Sequence, residues 1–311
     1  MSNVFVFGSI NMDMVFNVKR MPKRGETLKS QDFKMNPGGK GANQAVAAAQ
    51  QESLVTMFGS LGDDGLSNQL LKTLQSYRVN TAGITMQQNQ HAGIAGILLE
   101  GPENRIIIHP GANDKQAMST LKERFKADAK KHDYLLSQLE VPLKNIEALF
   151  LLAQELGVKT VLNAAPAKPL NETFMRLIDL LVINESEAEI LSNQTIHNQT
   201  DLINIAKELR QKGPERVIIT LSNKGAYWQS ASEDKFVKPY QINPLDTTGA
   251  GDAFTGVLVA KLAQNFNFDE AFDCAMAAGA YATQTKGAQE AMPNQESLKH
   301  FMLKYKKVGE T

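Results

Sequence analysis

The chain has 311 residues, 42% of them hydrophobic and 21% charged, which is enough for one large α/β domain. Its 33 Lys and Arg residues balance its 33 Asp and Glu residues. This zero net charge argues against nucleic acid or a membrane surface as the main partner. Cys274 is the one cysteine and cannot form an internal disulfide, which fits a reducing, cytoplasmic setting. We expect no signal peptide and no membrane helix, since no apolar run reaches about 18 residues.

The first third of the chain mixes short strands with helices. Val4–Phe7 is a continuous apolar run, typical of a strand buried on both faces. Short segments with β character lie near 14–36, and a hairpin is predicted over 93–109. These strands are hard to place in a parallel sheet, so we expect them to form a small antiparallel sheet that acts as a lid.

Strands and helices alternate regularly from about residue 115 onward. Counting those before residue 115, the further predicted strands are 54–61, 134–139, 159–162, 180–183 and 216–221, with a hairpin over 226–237. The predicted helices are 45–50, 66–77, 116–128, 143–156, 186–192, 200–212, 253–263, 269–285 and 295–306. This order predicts a doubly wound, mostly parallel sheet with helices on both faces. We therefore expect a single α/β domain over residues 1–311, with the lid as its appendage.

Polar residues follow several of the predicted strands directly. In open α/β sheets, ligands bind beyond the carboxyl ends of the strands, and right-handed crossovers bring those ends to one edge. The residues expected along this edge are Asn11, Asp13, Glu140, Asn184 and Asp252.

Two glycine-rich segments each lead into a helix. Gly38–Gly41 precedes an alanine-rich helix with polar Lys40, Asn43 and Gln44 in its first turns, where such groups face a cleft. Near the end of the chain, Gly249-Ala250-Gly251 precedes Asp252. A glycine-lined helix start suits an anion such as phosphate, and a carboxylate beside it suits proton abstraction from an attacking hydroxyl. The alternative is a first-turn acid that stabilises the helix dipole.

Gly38–Asn43 and Asp246–Asp252 resemble the two signatures of the ribokinase-like (PfkB-type) carbohydrate kinases. The two stand in the right order, about two hundred residues apart, and the resemblance covers essentially the whole chain. It implies a doubly wound α/β fold whose β lid often forms a dimer clasp. It also implies transfer of the γ-phosphoryl of ATP to a sugar hydroxyl. Gly8–Asp13, Gln138–Glu140 and Lys286–Gln289 are most similar to members that phosphorylate D-ribose at its C5 hydroxyl.

The resemblance also implies residue roles. Asp252 is the implied general base, and the N–H groups of Gly249, Ala250 and Gly251 are the implied anion hole. The implied sugar-binding residues are Asn11, Met12, Asp13, Gly39, Lys40, Gly41, Ala42, Asn43, Glu140 and Asp252. Neighbouring sugar hydroxyls suit carboxylate and carboxamide groups, which accept and donate at fixed spacing.

The nucleotide and its metal ions have implied positions as well. Those for ATP and Mg²⁺ are Asn184, Glu187, Thr220, Leu221, Ser222, Asn223, Lys224, Gly225, Gly251, Asp252 and Met276. The implied K⁺ loop comprises Asp246, Thr248, Ala282, Thr285, Gly287 and Ala291. The family more commonly has Ser where Ala291 stands, which removes one hydroxyl. Asn184 and Glu187 also fit a helix capping box, a role compatible with Mg²⁺, and a helical Met such as Met276 also fits a core position.

Other functions fit the sequence less well. A NAD-dependent dehydrogenase would carry Gly-x-Gly-x-x-Gly after the first strand, where only Gly8 stands, and there is no Walker A motif. A sugar-sensing relative without activity would be expected to lack the base or the glycines. The nearest alternative is a kinase for deoxyribose, fructose or another sugar.

Overall fold

Buried hydrophobic strands alternate with helices along most of the chain. The structure is a computed structural model that describes residues 2–101, 103–305 and 307. Its strands are β1 (Val4–Phe7), β2 (Asn11–Asn17), β3 (Asp32–Gly38), β4 (Val55–Gly62), β5 (Asn80–Gln87), β6 (Gly93–Glu100), β7 (Glu103–His109), β8 (Tyr134–Gln138), β9 (Lys159–Asn163), β10 (Leu180–Asn184), β11 (Arg216–Thr220), β12 (Ala226–Gln229) and β13 (Asp234–Val237). Its α-helices are α1 (Lys40–Ala49), α2 (Gly65–Ser76), α3 (Met118–Asp128), α4 (Leu143–Leu156), α5 (Glu172–Met175), α6 (Glu185–Ser192), α7 (Gln199–Gln211), α8 (Ala250–Ala263), α9 (Phe268–Ala282) and α10 (Gln295–Lys304).

The larger sheet has nine strands in the order β13-β12-β11-β10-β9-β8-β1-β4-β5. Within this order, the strands from β11 through β10, β9, β8, β1 and β4 to β5 run parallel. Strands β12 and β13 pair antiparallel at one edge. Alternate side chains of β1 reach opposite faces: Val4 and Val6 join one hydrophobic cluster, Phe5 and Phe7 the other. Helices α1, α8 and α9 cover the first face, and α3, α4 and α7 cover the second. The predicted doubly wound α/β fold is confirmed.

A second, four-stranded sheet has the order β3-β2-β6-β7. The predicted strands near 14–36 and 93–109 lie in it. Its β2–β6 pair is parallel, whereas the other pairs are antiparallel. The expected all-antiparallel arrangement is therefore wrong, because α1, β4, α2 and β5 intervene and bring β6 back in the direction of β2.

Several boundaries differ from the sequence-based prediction. Strand β2 begins at Asn11, so Asn11 and Asp13 lie on the small sheet rather than in a loop after β1. Strand β5 at the edge of the large sheet and the short helix α5 were not predicted. Helix α8 starts at Ala250, three residues before the predicted start, and α9 ends at Ala282. The predicted last helix, 295–306, ends at Lys304, and residue 306 lies outside the described residues.

The membrane prediction was tested on the same residues. Within the described ranges, every helix is too short or too polar to cross a bilayer.

Candidate active site

A cleft of about 220 Å³ lies at the carboxyl ends of β9, β10 and β11. The last residues of these strands, Asn163, Asn184 and Thr220, line one side of it. The glycine-rich start of α8 lines the other side. Further lining residues from separate parts of the chain are Lys40, Glu187, Thr247, Gly249, Gly251 and Asp252. Both glycine-rich segments therefore meet at the edge of the sheet where the strand order predicts a ligand.

The start of α8 is shaped by two glycines. Gly249 is the N-cap residue with φ 75°, a left-handed conformation that favours glycine. Gly251 faces open space, since a Cβ there would meet no atom within 4 Å. First-turn amides of a helix have no intrahelical acceptor and attract anions, although the Ala250 N–H donates to the Thr247 carbonyl at 3.2 Å. Close approach of a phosphate is thus possible at Gly249 and Gly251, while the Ala250 amide is already bonded.

Asp252 is 6% exposed and lines the cleft. Its Oδ2 accepts a hydrogen bond from Asn43 Nδ2 at 2.9 Å, and its Oδ1 accepts one from Gln44 Nε2 at 2.9 Å. Both donors belong to the first turns of α1. The carboxylate is therefore held by the other glycine-rich segment, across 208 residues or more of sequence.

Glu140 lies near two other predicted sugar-binding residues, Lys40 and Asp13. Its Oε2 accepts hydrogen bonds from Ser9 Oγ at 2.6 Å and from the Lys40 N–H at 3.2 Å. Asn11 Oδ1 accepts a bond from Asn113 Nδ2 at 2.7 Å, and both side chains are buried. Ser9 and Asn113 were not predicted, because nothing local in the sequence distinguishes them from ordinary loop residues.

Asp13 approaches this group from the small sheet. It pairs in register with Asn36, and a Cβ at Gly38 would lie 2.5 Å from its carboxyl carbon. Gly38 therefore makes room for the Asp13 side chain at the junction of the two sheets. Asn11 and Asp13 thus extend from the small sheet toward Glu140.

Other predicted sugar-site residues have structural roles. Gly39 has φ 89°, and a Cβ there would lie 2.7 Å from the Asn11 N atom. Gly41 likewise allows α1 to approach the backbone at Gly8. The side chains of Met12 and Ala42 are fully buried in the hydrophobic core. A ligand could contact these residues only through their backbone.

Carboxylates and a lysine share the cleft. Burial, together with the charges of Glu140 and Asp252, raises the pKa of Asp13 from 3.8 to about 7, and Lys40 partly offsets this. Burial lowers the pKa of Lys40, but the surrounding carboxylates, Asp252 first, outweigh it and raise that pKa. Burial also raises the pKa of Glu187. The carboxylates therefore favour protons and cations, as expected where a cation such as Mg²⁺ would accompany the phosphates of a nucleotide.

Asn184 and Glu187 form a capping box at the start of α6. The Glu187 N–H donates to Asn184 Oδ1 at 2.9 Å, and the Asn184 N–H donates to Glu187 Oε2 at 2.8 Å. Both residues also line the cleft. Oxygen ligands from one or two side chains suit Mg²⁺, which keeps several waters, so these residues fit the implied ion as well as the cap.

The predicted nucleotide loop follows β11. Thr220 lines the cleft, and Ser222–Lys224 form a 3₁₀ turn that ends at Gly225 with φ 102°. The Leu221 N–H donates to the Gly225 carbonyl at 2.8 Å, which closes the loop. Lys224 pairs with Glu185 at 3.1 Å. The side chains of Ser222, Asn223 and Lys224 are exposed, whereas the Leu221 side chain is buried in the hydrophobic core.

Met276 lies on α9, partly buried against the hydrophobic core. The cleft lining given by the structure does not include it. Its contact with a nucleotide base therefore stays a prediction.

The predicted cation loop joins two segments that flank α8 and α9. Asp246 accepts hydrogen bonds from the Thr248 N–H at 2.9 Å and the Gly287 N–H at 3.1 Å. Burial disfavours its charge, but these bonds outweigh it and lower its pKa. The Thr285 N–H donates to the Ala282 carbonyl, and Ala291 is buried. The bond from Gly287 to Asp246 joins the two segments, and their binding of K⁺ stays a prediction.

Three side chains near Asp252 were not assigned a role from sequence. Gln44 was expected to face the cleft, but it is fully buried and bonds to Asp252. The expectation was wrong because α8 packs directly over this turn of α1. Gln138 and Asn163 bond to Gln44 in turn. Their positions at the ends of β8 and β9 were the available signal.

Comparison with known proteins shows the family of this chain. Residues 1–295 match the pfkB family carbohydrate kinases. A ribokinase from Haemophilus influenzae is 35% identical over 298 residues, which cover 96% of this chain and 97% of the relative. A deoxyribokinase from Salmonella typhi is 32% identical over 302 residues, with 96% and 98% covered. The solved structure of Arabidopsis thaliana ribokinase complexed with ribose and ATP has a TM-score of 0.86 at 26% identity, over 96% of this chain and 98% of that one.

The fold, the cleft and these matches define a class of enzyme. The chain belongs to the pfkB family of carbohydrate kinases. Within that family, it is a sugar kinase of the ribokinase type.

Proposed function

We propose that this enzyme phosphorylates D-ribose at its 5-hydroxyl with ATP, giving ribose 5-phosphate and ADP. The observation that carries the proposal is the position of Asp252. Its carboxylate is buried yet lines the cleft, between the sugar-side residues of α1 and the glycine-rich start of α8, where Gly251 faces open space. A base in this position can reach both the attacking hydroxyl and the transferring phosphoryl group.

The reaction proceeds by in-line displacement. The ribose O5 forms a bond to the γ-phosphorus while the bond from that phosphorus to the β–γ bridging oxygen breaks, and ADP leaves. Asp252 takes the proton of the hydroxyl. The amides of Gly249 and Gly251 donate to the equatorial oxygens as charge develops on them. The Ala250 amide can join them by releasing its bond to the Thr247 carbonyl.

The sugar lies between Asp252 and the small sheet. Asn43 Oδ1 is buried without a hydrogen-bond partner among the described residues, so a sugar hydroxyl can donate to it. Asn11, Asp13 and Glu140 provide further carboxylate and carboxamide groups for the ring hydroxyls. The backbone N–H group of Lys40 donates to Glu140. The Lys40 side chain neutralises part of the charge of the surrounding carboxylates.

Two metal ions complete the proposal. Asn184 and Glu187 would hold Mg²⁺ largely through water, and this ion neutralises charge on the phosphates. The loop of Asp246, Thr248 and Gly287 would hold K⁺ beside the anion hole. The shape of Thr220–Gly225 suits the nucleotide end of ATP.

The small sheet is proposed as a lid and a dimer contact. It exposes large hydrophobic side chains, led by Ile107 at 73% and including Phe33 at 46%. Contiguous exposed apolar surface of this kind marks an interaction site. We propose a homodimer formed through this sheet, in a cytoplasmic enzyme.

The test is ADP release with D-ribose, 2-deoxyribose and fructose, each with and without K⁺. Ribose is expected to give the highest kcat/KM. The Asp252→Asn variant should lose about 10²- to 10⁴-fold in kcat, the usual range for a lost general base, with sugar affinity largely kept. Asp269→Asn, the same change in the first turn of α9 outside the cleft, is the control. Retained turnover in Asp252→Asn would refute the mechanism.

A deoxyribokinase is the second candidate, because the relative of that name is nearly as similar as the ribokinase. The two sugars differ in one hydroxyl. A higher kcat/KM for 2-deoxyribose than for ribose would favour this candidate and leave the assignment of Asp252 unchanged.

A further inference from the structure

Gln44 is the central member of a buried chain of carboxamides behind Asp252. One hydrogen of its Nε2 goes to Asp252 Oδ1 at 2.9 Å, and the other goes to Asn163 Oδ1 at 2.9 Å. Its Oε1 accepts from Gln138 Nε2 at 2.6 Å. The side chain is fully buried. Both N–H hydrogens and the oxygen of the Gln44 amide are bonded within the protein, so Gln44 is not a ligand for the sugar.

The orientation of the Gln44 amide is determined by its neighbours. Asn163 Nδ2 donates to the backbone carbonyl of Val182 at 3.0 Å, which turns Asn163 Oδ1 toward Gln44. Gln138 presents an N–H group to the other end of the Gln44 amide. If the Gln44 amide were flipped, its oxygen would face the oxygens of Asp252 and Asn163. That arrangement places acceptors against each other and is unfavourable.

Gly8 gives Gln138 the space it occupies. A Cβ at Gly8 would lie 3.1 Å from the Gln138 side-chain carbon Cδ and 2.8 Å from the Gly41 Cα. The link between β1 and the small sheet therefore packs directly against the Gln138 side chain at the end of β8 and against the first turn of α1. This packing fixes the chain of amides at the carboxyl ends of β8 and β9.

We propose that Gln44, oriented by Gln138 and Asn163, is a positioning residue that holds the Asp252 carboxylate in line with the acceptor hydroxyl. Asn43 also donates to Asp252. Its Oδ1 has no hydrogen-bond partner among the described residues, which points to a role in sugar binding, so the Asn43 side chain can move when the sugar binds. Gln44 keeps its hold on Asp252 through the reaction. The proposal rests on the function proposed above and adds the residue that sets the orientation of the base.

The first test compares two substitutions at Gln44. Gln44→Met keeps the length and burial of the side chain but removes the donor. We expect kcat to fall about 10- to 100-fold, as for a misplaced catalytic group, with KM for the sugar within about threefold of wild type. Gln44→Glu keeps the shape but places a carboxylate against Asp252. The two would share a proton, so the acid limb of the kcat–pH profile should move up by about one pH unit or more.

Gln51→Met is the matched control. Gln51 is also fully buried and donates to the Pro293 carbonyl at 2.7 Å, just after α1 and away from Asp252. It should lose thermal stability to a similar extent as Gln44→Met, yet keep the kcat and the pH profile of the wild type. This separates positioning of the base from the general cost of removing a buried amide.

A double-mutant cycle tests the second step of the chain. If Gln138 acts through Gln44, Gln138→Met should lower kcat in the wild-type enzyme and have no further effect in Gln44→Met. Additive losses would show that Gln138 acts separately and overturn that part of the proposal.

All variants are assayed with whichever sugar of the panel wild type phosphorylates best. If Gln44→Met keeps the wild-type kcat, or Gln44→Glu keeps the wild-type acid limb, the positioning role is refuted while the sugar-kinase assignment stands. If wild type phosphorylates no sugar in the panel, the proposed function fails, and this inference fails with it.

Discussion

Gly251→Ala should separate stability from activity. Gly251 lies in the first turn of α8, and a Cβ at this position would meet no atom within 4 Å. The change therefore costs no packing and gains about 0.5–1 kcal/mol, because alanine loses less backbone entropy than glycine in a helix. For a chain of this length, that corresponds to a rise in Tm of about 1 °C.

The same methyl group should lower activity. It extends about 1.5 Å from the Cα atom into the space that the γ-phosphate would occupy against the first-turn amides. Displacement of a reacting group by about 1 Å can cost 10²-fold in rate, so kcat should fall on the order of 10²-fold. The proposed sugar site lies on the other side of Asp252, so KM for the sugar should change little.

Gly65→Ala is the matched control for this substitution. Gly65 is the first residue of α2, and a Cβ there also meets no atom within 4 Å. It lies outside the residues that line the cleft. Thermal unfolding and steady-state kinetics of both variants should show similar Tm values but a loss of kcat in Gly251→Ala alone. A Gly251→Ala enzyme with kcat within twofold of wild type would refute close approach of the phosphate at this helix start.

Three further predictions concern charge, K⁺ and assembly. The pKa of Asp13 is about 7 in the fold and 3.8 in its absence, so the folded state binds the proton more tightly. The free energy of unfolding should therefore fall, by no more than a few kcal/mol, as pH rises from about 4 to 7; Asp13→Asn should flatten this slope in urea titrations. Asp246→Asn should remove most of any stimulation by K⁺, measured as kcat in KCl against choline chloride. Ile107→Lys should shift a dimer toward monomer in analytical ultracentrifugation, with Tm changed by less than about 2 °C because Ile107 is largely exposed; an unchanged dimer would exclude the small sheet as the contact.

The order of strands and helices could be predicted because their signals are local. Val4–Phe7 and residues 180–183 are continuous apolar runs, and the helix predicted over 143–156 matches α4 residue for residue. Strand β5 was missed because Asn80–Gln87 mixes polar residues with a glycine and lies at an edge, where few side chains need burial. Its place is set by pairing with β4, which no local pattern records.

The site could be predicted only where a motif carries it. Asp252 and Gly251 lie in a recognisable segment, and the structure places both at the cleft. Ser9, Gln138 and Asn163 reach the site through single hydrogen bonds to residues far away in sequence. Such contacts depend on which strands become neighbours, and this is decided by the packing of the whole sheet.

The two glycine-rich segments meet because their helices touch through backbone atoms. Asp252 and Gly256 are four residues apart on α8, so both lie on the face toward α1. A Cβ at Gly256 would lie 2.5 Å from the Gln44 carbonyl oxygen and 2.6 Å from the Ala47 Cβ. Any larger residue at Gly256 would therefore separate the helices and draw Asp252 away from Gln44. The position of the proposed base depends on this close contact as much as on the residues that bond to it, which explains why a glycine follows Asp252 by one helical turn.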